Sequence, residues 1–171
     1  CLRFLNENPW DRLKVFKKHI KNTKLQMLLR GKNLVGYKEY DDSVISLFIN
    51  NSFKEGINIF RIFDSLNDVN NIKSSIEYVN KEGGNSQGTI CYTTSPVHDE
   101  KYWIKLAKSI EDIGAKSLAI KDMAGLLRPN IGFELIKKLK KNINIPLHLH
   151  THSTTGLSDA TNLKAYEAGI D

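Results

Sequence analysis

Five apolar segments recur along this chain at nearly constant intervals: Leu25–Arg30, Ile57–Asp64, Gly88–Thr93, Ser117–Lys121 and Pro146–His150. Their starting residues lie 32, 31, 29 and 29 positions apart. Helical periodicity surrounds them at Pro9–Ile20, Asp42–Glu55, Asp68–Lys81, His98–Ile113, Arg128–Lys141 and Ser158–Ala168. Trp10, Leu13, Phe16 and Ile20 form a stripe on the first helix, and Val44, Ile45, Leu47, Phe48 and Ile49 a broad apolar face on the second. Asn8 before Pro9 reads as an N-cap, and Gly56, Gly83, Gly114 and Gly169 read as stops just past helix ends. A strand-then-helix unit of about 30 residues demands parallel strands with helical crossovers.

An open doubly wound sheet and a (β/α)8 barrel both satisfy that rhythm. The open dinucleotide-binding sheet places a glycine-rich turn after its first strand, and no Gly-x-Gly-x-x-Gly occurs here. Polar residues instead close successive strands: Arg30, Asp64, Lys121 with Asp122, and His150 with His152. A barrel with its active site at the carboxyl-terminal face distributes them in this way. Five strands do not close an eight-stranded barrel, so the expected fold is a partial (β/α)8 TIM barrel of class α/β, one incomplete domain over residues 1–171. Cys1 opens the chain without a methionine, and Ala168-Gly169-Ile170-Asp171 reads as the start of a further apolar strand; the expectation is a fragment cut at both ends.

Hydrophobic residues at 40% and charged residues at 26% argue against wholesale disorder. The net charge of +6 comes from scattered lysines, and the run Lys137-Lys138-Leu139-Lys140-Lys141 sits on a helix as a solvated face. No arginine-and-aromatic platform accompanies it, so no nucleic-acid partner is expected. Two cysteines are too few for a disulfide framework, no run approaches the ~18 apolar residues of a membrane span, and no signal peptide opens the chain. The expected location is a reducing cytoplasm.

The sharpest local pattern is Pro146-Leu147-His148-Leu149-His150-Thr151-His152. Histidines at i, i+2 and i+4 point to one face of a strand, where two of them could grip a metal; the alternative is a set of hydrogen-bonded core histidines. Lys121 closes the apolar run Leu118-Ala119-Ile120. Burial disfavours its charge, so it must pair with Asp64 or Asp122, lose its proton, or react with carbon dioxide to form a carbamate. Arg30 offers a fork suited to a carboxylate, or a structural arginine beside Gly31, and Tyr37 follows on its loop with a hydroxyl for a carbonyl or enolate oxygen. Asp64 either supports the site by orienting a ligand or neutralising Lys121, or caps the following helix.

The segments CLRFLNENPWDRL, LQMLLRGKNLVGY, IFRIFDSLND, SLAIKDMAGLLRP and PLHLHTHSTTG together resemble the biotin-dependent carboxyltransferase domain shared by pyruvate carboxylase, the oxaloacetate decarboxylase alpha subunit and transcarboxylase. The short loop in GTICYTTSPVHDEKYW is more similar to the decarboxylase alpha subunit, or to pyruvate carboxylase split into separate subunits, than to the single-chain enzyme. The resemblance implies carboxyl transfer between carboxybiotin and pyruvate or oxaloacetate. It implies a divalent metal, zinc first with manganese or cobalt as alternatives, held by His150, His152 and a carbamylated Lys121, with His148 one alternation deeper. It implies that Arg30 and Tyr37 hold the keto-acid. It places an aspartate metal ligand upstream of Cys1 and a proton-shuttling threonine downstream of Asp171. No Met-Lys-Met biotinylation site is present, so biotin is expected on a separate carrier domain or subunit. A homo-oligomer is the expected assembly, with membrane-bound decarboxylase subunits as alternative partners, and the isolated fragment is expected to be inactive. Two other classes stand beside this one: a biotin-independent metal-dependent lyase or acyltransferase, and a non-catalytic remnant.

Overall fold

A computed structural model describes residues 2–171. Its elements run α1 (Leu2–Leu5), α2 (Pro9–His19), β1 (Leu25–Leu29), a 3-10 turn (Gly31–Asn33), α3 (Asp42–Lys54), β2 (Ile57–Ile62), α4 (Val69–Lys81), β3 (Asn85–Cys91), α5 (Glu100–Asp112), β4 (Ser117–Asp122), α6 (Pro129–Asn142), β5 (Leu147–Thr151) and α7 (Ser158–Glu167). The five strands pair in parallel in the order β1-β2-β3-β4-β5. Sequential parallel pairing with a helix in every crossover makes the sheet a half-barrel, the α/β architecture expected from the spacing.

The outer face packs on the helices. Leu29, Phe60, Ile62, Ile90, Leu118, Ile120 and Leu147 are buried there with Ile45 and Ile49 of α3, Ile72 and Ile76 of α4, Trp103 and Ile110 of α5, and Ile136 and Leu139 of α6. Burying such side chains contributes roughly 1.5–3 kcal/mol each before conformational entropy is subtracted. Gly88 allows the closest helix approach: a Cβ there would stand 2.2 Å from Cγ2 of Ile110.

The caps follow the sequence closely. Asn8 accepts from Trp10 N at 3.1 Å, and Gly56, Gly83, Gly114 and Gly169 all take the left-handed conformation just past helix ends. Asp68 and Asp99 are further N-caps, accepting from Asn70 N and Tyr102 N. Asp99 therefore delays α5 to Glu100, two residues later than periodicity suggested.

Two expectations need correction. Strand β3 starts at Asn85 rather than Gly88, and its polar opening Asn85-Ser86-Gln87 hides it from a hydrophobicity reading. Those residues enter the strand because their side chains find polar partners: Ser86 donates to Asn80 and Gln87 to Ser117. The stripe on α2 is also not buried. Trp10 packs on Phe48 at 5.8 Å between centroids and Leu13 touches the core, but Phe16 is 43% and Ile20 40% exposed. Helix α2 precedes β1, which stands at the edge of the sheet among the described residues.

Candidate active site

Parallel register and side-chain alternation set up layers on the inner face of the sheet. Leu28, Arg61, Gln87 and Ser117 stand side by side on β1 to β4. Thr89, Ala119 and His148 form the next layer, and Cys91, Lys121 and His150 the one nearest the carboxyl-terminal end.

Lys121 is 6% exposed. Its Nζ lies 3.1 Å from Met123 Sδ and 4.4 Å from the centroid of the Phe63 ring. Among the described residues it forms no ion pair with a carboxylate. Asp122 accepts instead from the backbone of Leu126 and Leu127, and Asp64 from Leu66 N, Asp68 N and Asn71 Nδ2. The salt bridge that sequence alone left open is therefore not made. Burial pushes the Lys121 amine below its ordinary value; Cys91 opposes this, and the Arg30 and Arg61 charges add to it.

His150 lies across from Lys121 in register, and its ring stands 5.0 Å from that of His152. Arg61 Nη1 is 3.2 Å from His150 Nδ1. A guanidinium only donates, so in this contact Nδ1 is on the accepting side. Burial first, then Arg61, His152 and Lys121, hold the His150 pKa below its ordinary value. His148 is lowered in the same way by burial and Arg61, with Asp171 opposing.

Arg30 and Tyr37 meet at a cavity of about 230 Å³ whose walls are Leu28, Leu34, Val35, Gly36 and Phe63. The Arg30 guanidinium carbon lies 5.8 Å from the Tyr37 ring centroid and 5.6 Å from that of Phe63. The 3-10 turn keeps Arg30 in place: Arg30 N donates to Leu34 O at 2.8 Å, and Leu34 adopts a positive φ of 53°. Asn71 Oδ1 accepts from Lys32 N, while its amide donates to Asp64. Asp64 thus acts on the loop behind Arg30 and is held below the usual carboxylate range by its three hydrogen bonds and the Arg30 charge, which together outweigh its burial. Gly31 is required there, since a Cβ would meet Asn71 O at 2.7 Å.

The structure gathers Lys121 and His150 on adjacent strands with His152 just past the end of β5, and Arg30 with Tyr37 beside them, Phe63 touching both Lys121 and Arg30. The sequence reading missed Arg61, Phe63 and Gln87. A charged residue inside the apolar run Phe60-Arg61-Ile62-Phe63 was the signal for the first.

Two imidazoles and an amine that burial drives toward neutrality fit part of a coordination shell for a borderline divalent ion. Among the described residues no group of three or more His, Cys, Asp or Glu side chains is close enough to hold one. Nδ1 of His150 faces Arg61, so a metal taking that nitrogen would displace the contact.

A family profile described as HMGL-like matches residues 57–171. A pyruvate carboxylase subunit of Methanocaldococcus jannaschii is 53% identical over all of this chain, which covers 30% of that relative. The methylmalonyl-CoA carboxyltransferase 5S subunit of Propionibacterium freudenreichii is 47% identical, and the chain covers 34% of it. The carboxyl transferase domain of Rhizobium etli pyruvate carboxylase, solved with pyruvate, superposes with a TM-score of 0.96 at 43% identity over 99% of this chain and 30% of that one. The chain spans about a third of the length of these relatives.

Proposed function

The chain belongs to the HMGL-like family, and from that premise we propose that residues 1–171 are part of a single carboxyltransferase barrel that moves a carboxyl group between carboxybiotin and pyruvate or oxaloacetate. One observation carries the reading. A buried lysine with no carboxylate partner among the described residues stands in register with a histidine of a His-x-His pair, next to a cavity holding an arginine that is likewise unpaired among them.

Arg30 binds the keto-acid carboxylate through its N–H groups, and Leu28, Leu34 and Phe63 offer an apolar wall to the methyl end. Tyr37, 94% exposed, stands at the mouth, where its hydroxyl reaches a carbonyl or enolate oxygen. His150, His152 and Lys121 as a carbamate would hold the metal, zinc by its donor chemistry. When bound, such an ion supplies Lewis-acid polarisation of the keto-acid. Lys121 suits carbamate formation because a neutral amine, not an ammonium, adds to carbon dioxide, and burial favours the neutral form. Biotin arrives on a separate carrier domain or subunit, the main macromolecular partner of this reading, in a homo-oligomer in the cytoplasm. No helix among the described residues is long and apolar enough to cross a membrane.

The test is biotin-dependent carboxyl exchange between oxaloacetate and pyruvate, measured on the full-length protein and its Lys121→Ala variant. Exchange that disappears in the variant together with bound metal is the expected result. A metal-loaded protein without biotin-dependent exchange, or a fully active variant, overturns the reading and puts a biotin-independent lyase or acyltransferase first.

A further inference from the structure

We infer that Phe63 is the positioning residue of the carboxylate site: its ring face holds the Arg30 guanidinium so that every N–H of the fork stays free for a ligand. The inference rests on the reading of Arg30 as the carboxylate-binding group.

An arginine has five donors and is ordinarily held in place by accepting groups. The Arg30 side chain makes no hydrogen bond and no ion pair among the described residues, and the nearby carboxylate of Asp64 is committed to Leu66 N, Asp68 N and Asn71. Two aromatic rings hold the guanidinium instead, Phe63 at 5.6 Å and Tyr37 at 5.8 Å. Ring contacts of this kind use the face of the guanidinium, whereas carboxylates bind its edge, so the two do not compete. The two rings are not equivalent. Tyr37 is 94% exposed on a loop, while Phe63 is 5% exposed and its backbone N–H donates to Leu29 O at 2.9 Å, tying it to the strand that leads into Arg30. Phe63 is therefore the rigid half of the clamp. Its ring also stands 4.4 Å from the Lys121 amine, so Phe63 touches both the carboxylate site and the lysine. An aliphatic residue of similar size would fill the space without supplying the negative ring face that orients a cation.

The experiment compares the full-length protein with its Phe63→Leu, Phe63→Tyr and Arg30→Met variants. It reads the pyruvate Kd by calorimetry and the Arg30 side-chain proton shifts by NMR, since protons over a ring face resonate upfield. Phe63→Leu should weaken pyruvate binding about tenfold and abolish the upfield shift, and Phe63→Tyr should restore both. Should Phe63→Leu lose its cooperative melt, Phe63→Met replaces it, keeping the volume without the ring. Parent-like binding by the Leu or Met variant, with binding weakened in Arg30→Met, overturns the role of Phe63 alone. A Tyr variant as weak as the Leu variant also overturns it, in favour of plain packing. Unchanged binding in Arg30→Met sinks the carboxylate reading of Arg30, and the role of Phe63 falls with it.

Discussion

The outer face of the sheet is lined by Leu29, Phe60, Ile62, Ile90, Leu118, Ile120 and Leu147, whereas the inner face of the same strands carries Arg61, Gln87, Thr89, Lys121, His148 and His150. Alternation puts the two sets one residue apart: Ile120 packs on helices while Lys121 faces inward. The outer face draws its free energy from apolar area removed from water. The inner face buries polar and cationic groups that only partly satisfy each other. Lys121 lacks a carboxylate, and Thr89 Oγ1 has no hydrogen-bond partner among the described residues. Stability thus resides on one side of each strand and the capacity for chemistry on the other, as expected when a site retains groups that a core would exclude.

Four measurements would break or sharpen that contrast. Ile120→Ala on the outer face should cost about 2–5 kcal/mol by denaturant unfolding. A loss below about 1 kcal/mol would mean the helices do not depend on this face. Gln87→Leu on the inner face should cost less, about 1–3 kcal/mol, because it removes the acceptor of Arg61 and strands Ser117 without its donor. A neutral or stabilising Gln87→Leu would show that the Arg61–Gln87–Ser117 row is no part of the scaffold. Lys121→Met should leave stability within about 1 kcal/mol of the parent or above it, since it removes a buried amine that has no carboxylate partner among the described residues. A large loss there would erase the distinction between the faces.

The smallest effect is in pH. His148 and His150 have folded pKa values below their ordinary 6.5, so above that pH both are neutral, folded or unfolded. As pH falls through about 6.5 the unfolded chain takes up protons first, and stability declines until the folded values are passed. His150→Gln should flatten this decline and Ile120→Ala should leave its slope unchanged, as thermal melts between pH 7.5 and about 5 would show. An unchanged slope in His150→Gln would remove His150 from the coupled inner face.

Much of this was legible in the chain. The regular spacing named all five strands, the Asn8 cap opened α2, and the glycines marked helix ends where the structure closes them. Lys121, His150 and His152 were picked out by unusual residues at strand ends, Arg30 and Tyr37 by their loop. Gln87 escaped because polar residues that satisfy each other inside a strand look like a loop to a hydrophobicity reading. Phe63 escaped because an aromatic in an apolar run looks like core, and its distance to Arg30 and Lys121 is what separates it from Phe60.

By itself, the sequence determined the parallel half-barrel and which residues share a face, because both follow from periods of two, 3.6 and about 30 residues that are local properties of the chain. The tertiary structure decided which residues meet: Arg61 with His150, 89 positions apart, and Phe63 with both Arg30 and Lys121. It also decided that Lys121 pairs with no carboxylate among the described residues. Those outcomes depend on strand register and on which carboxylates the loops take for their own backbone, and neither is written in any single segment.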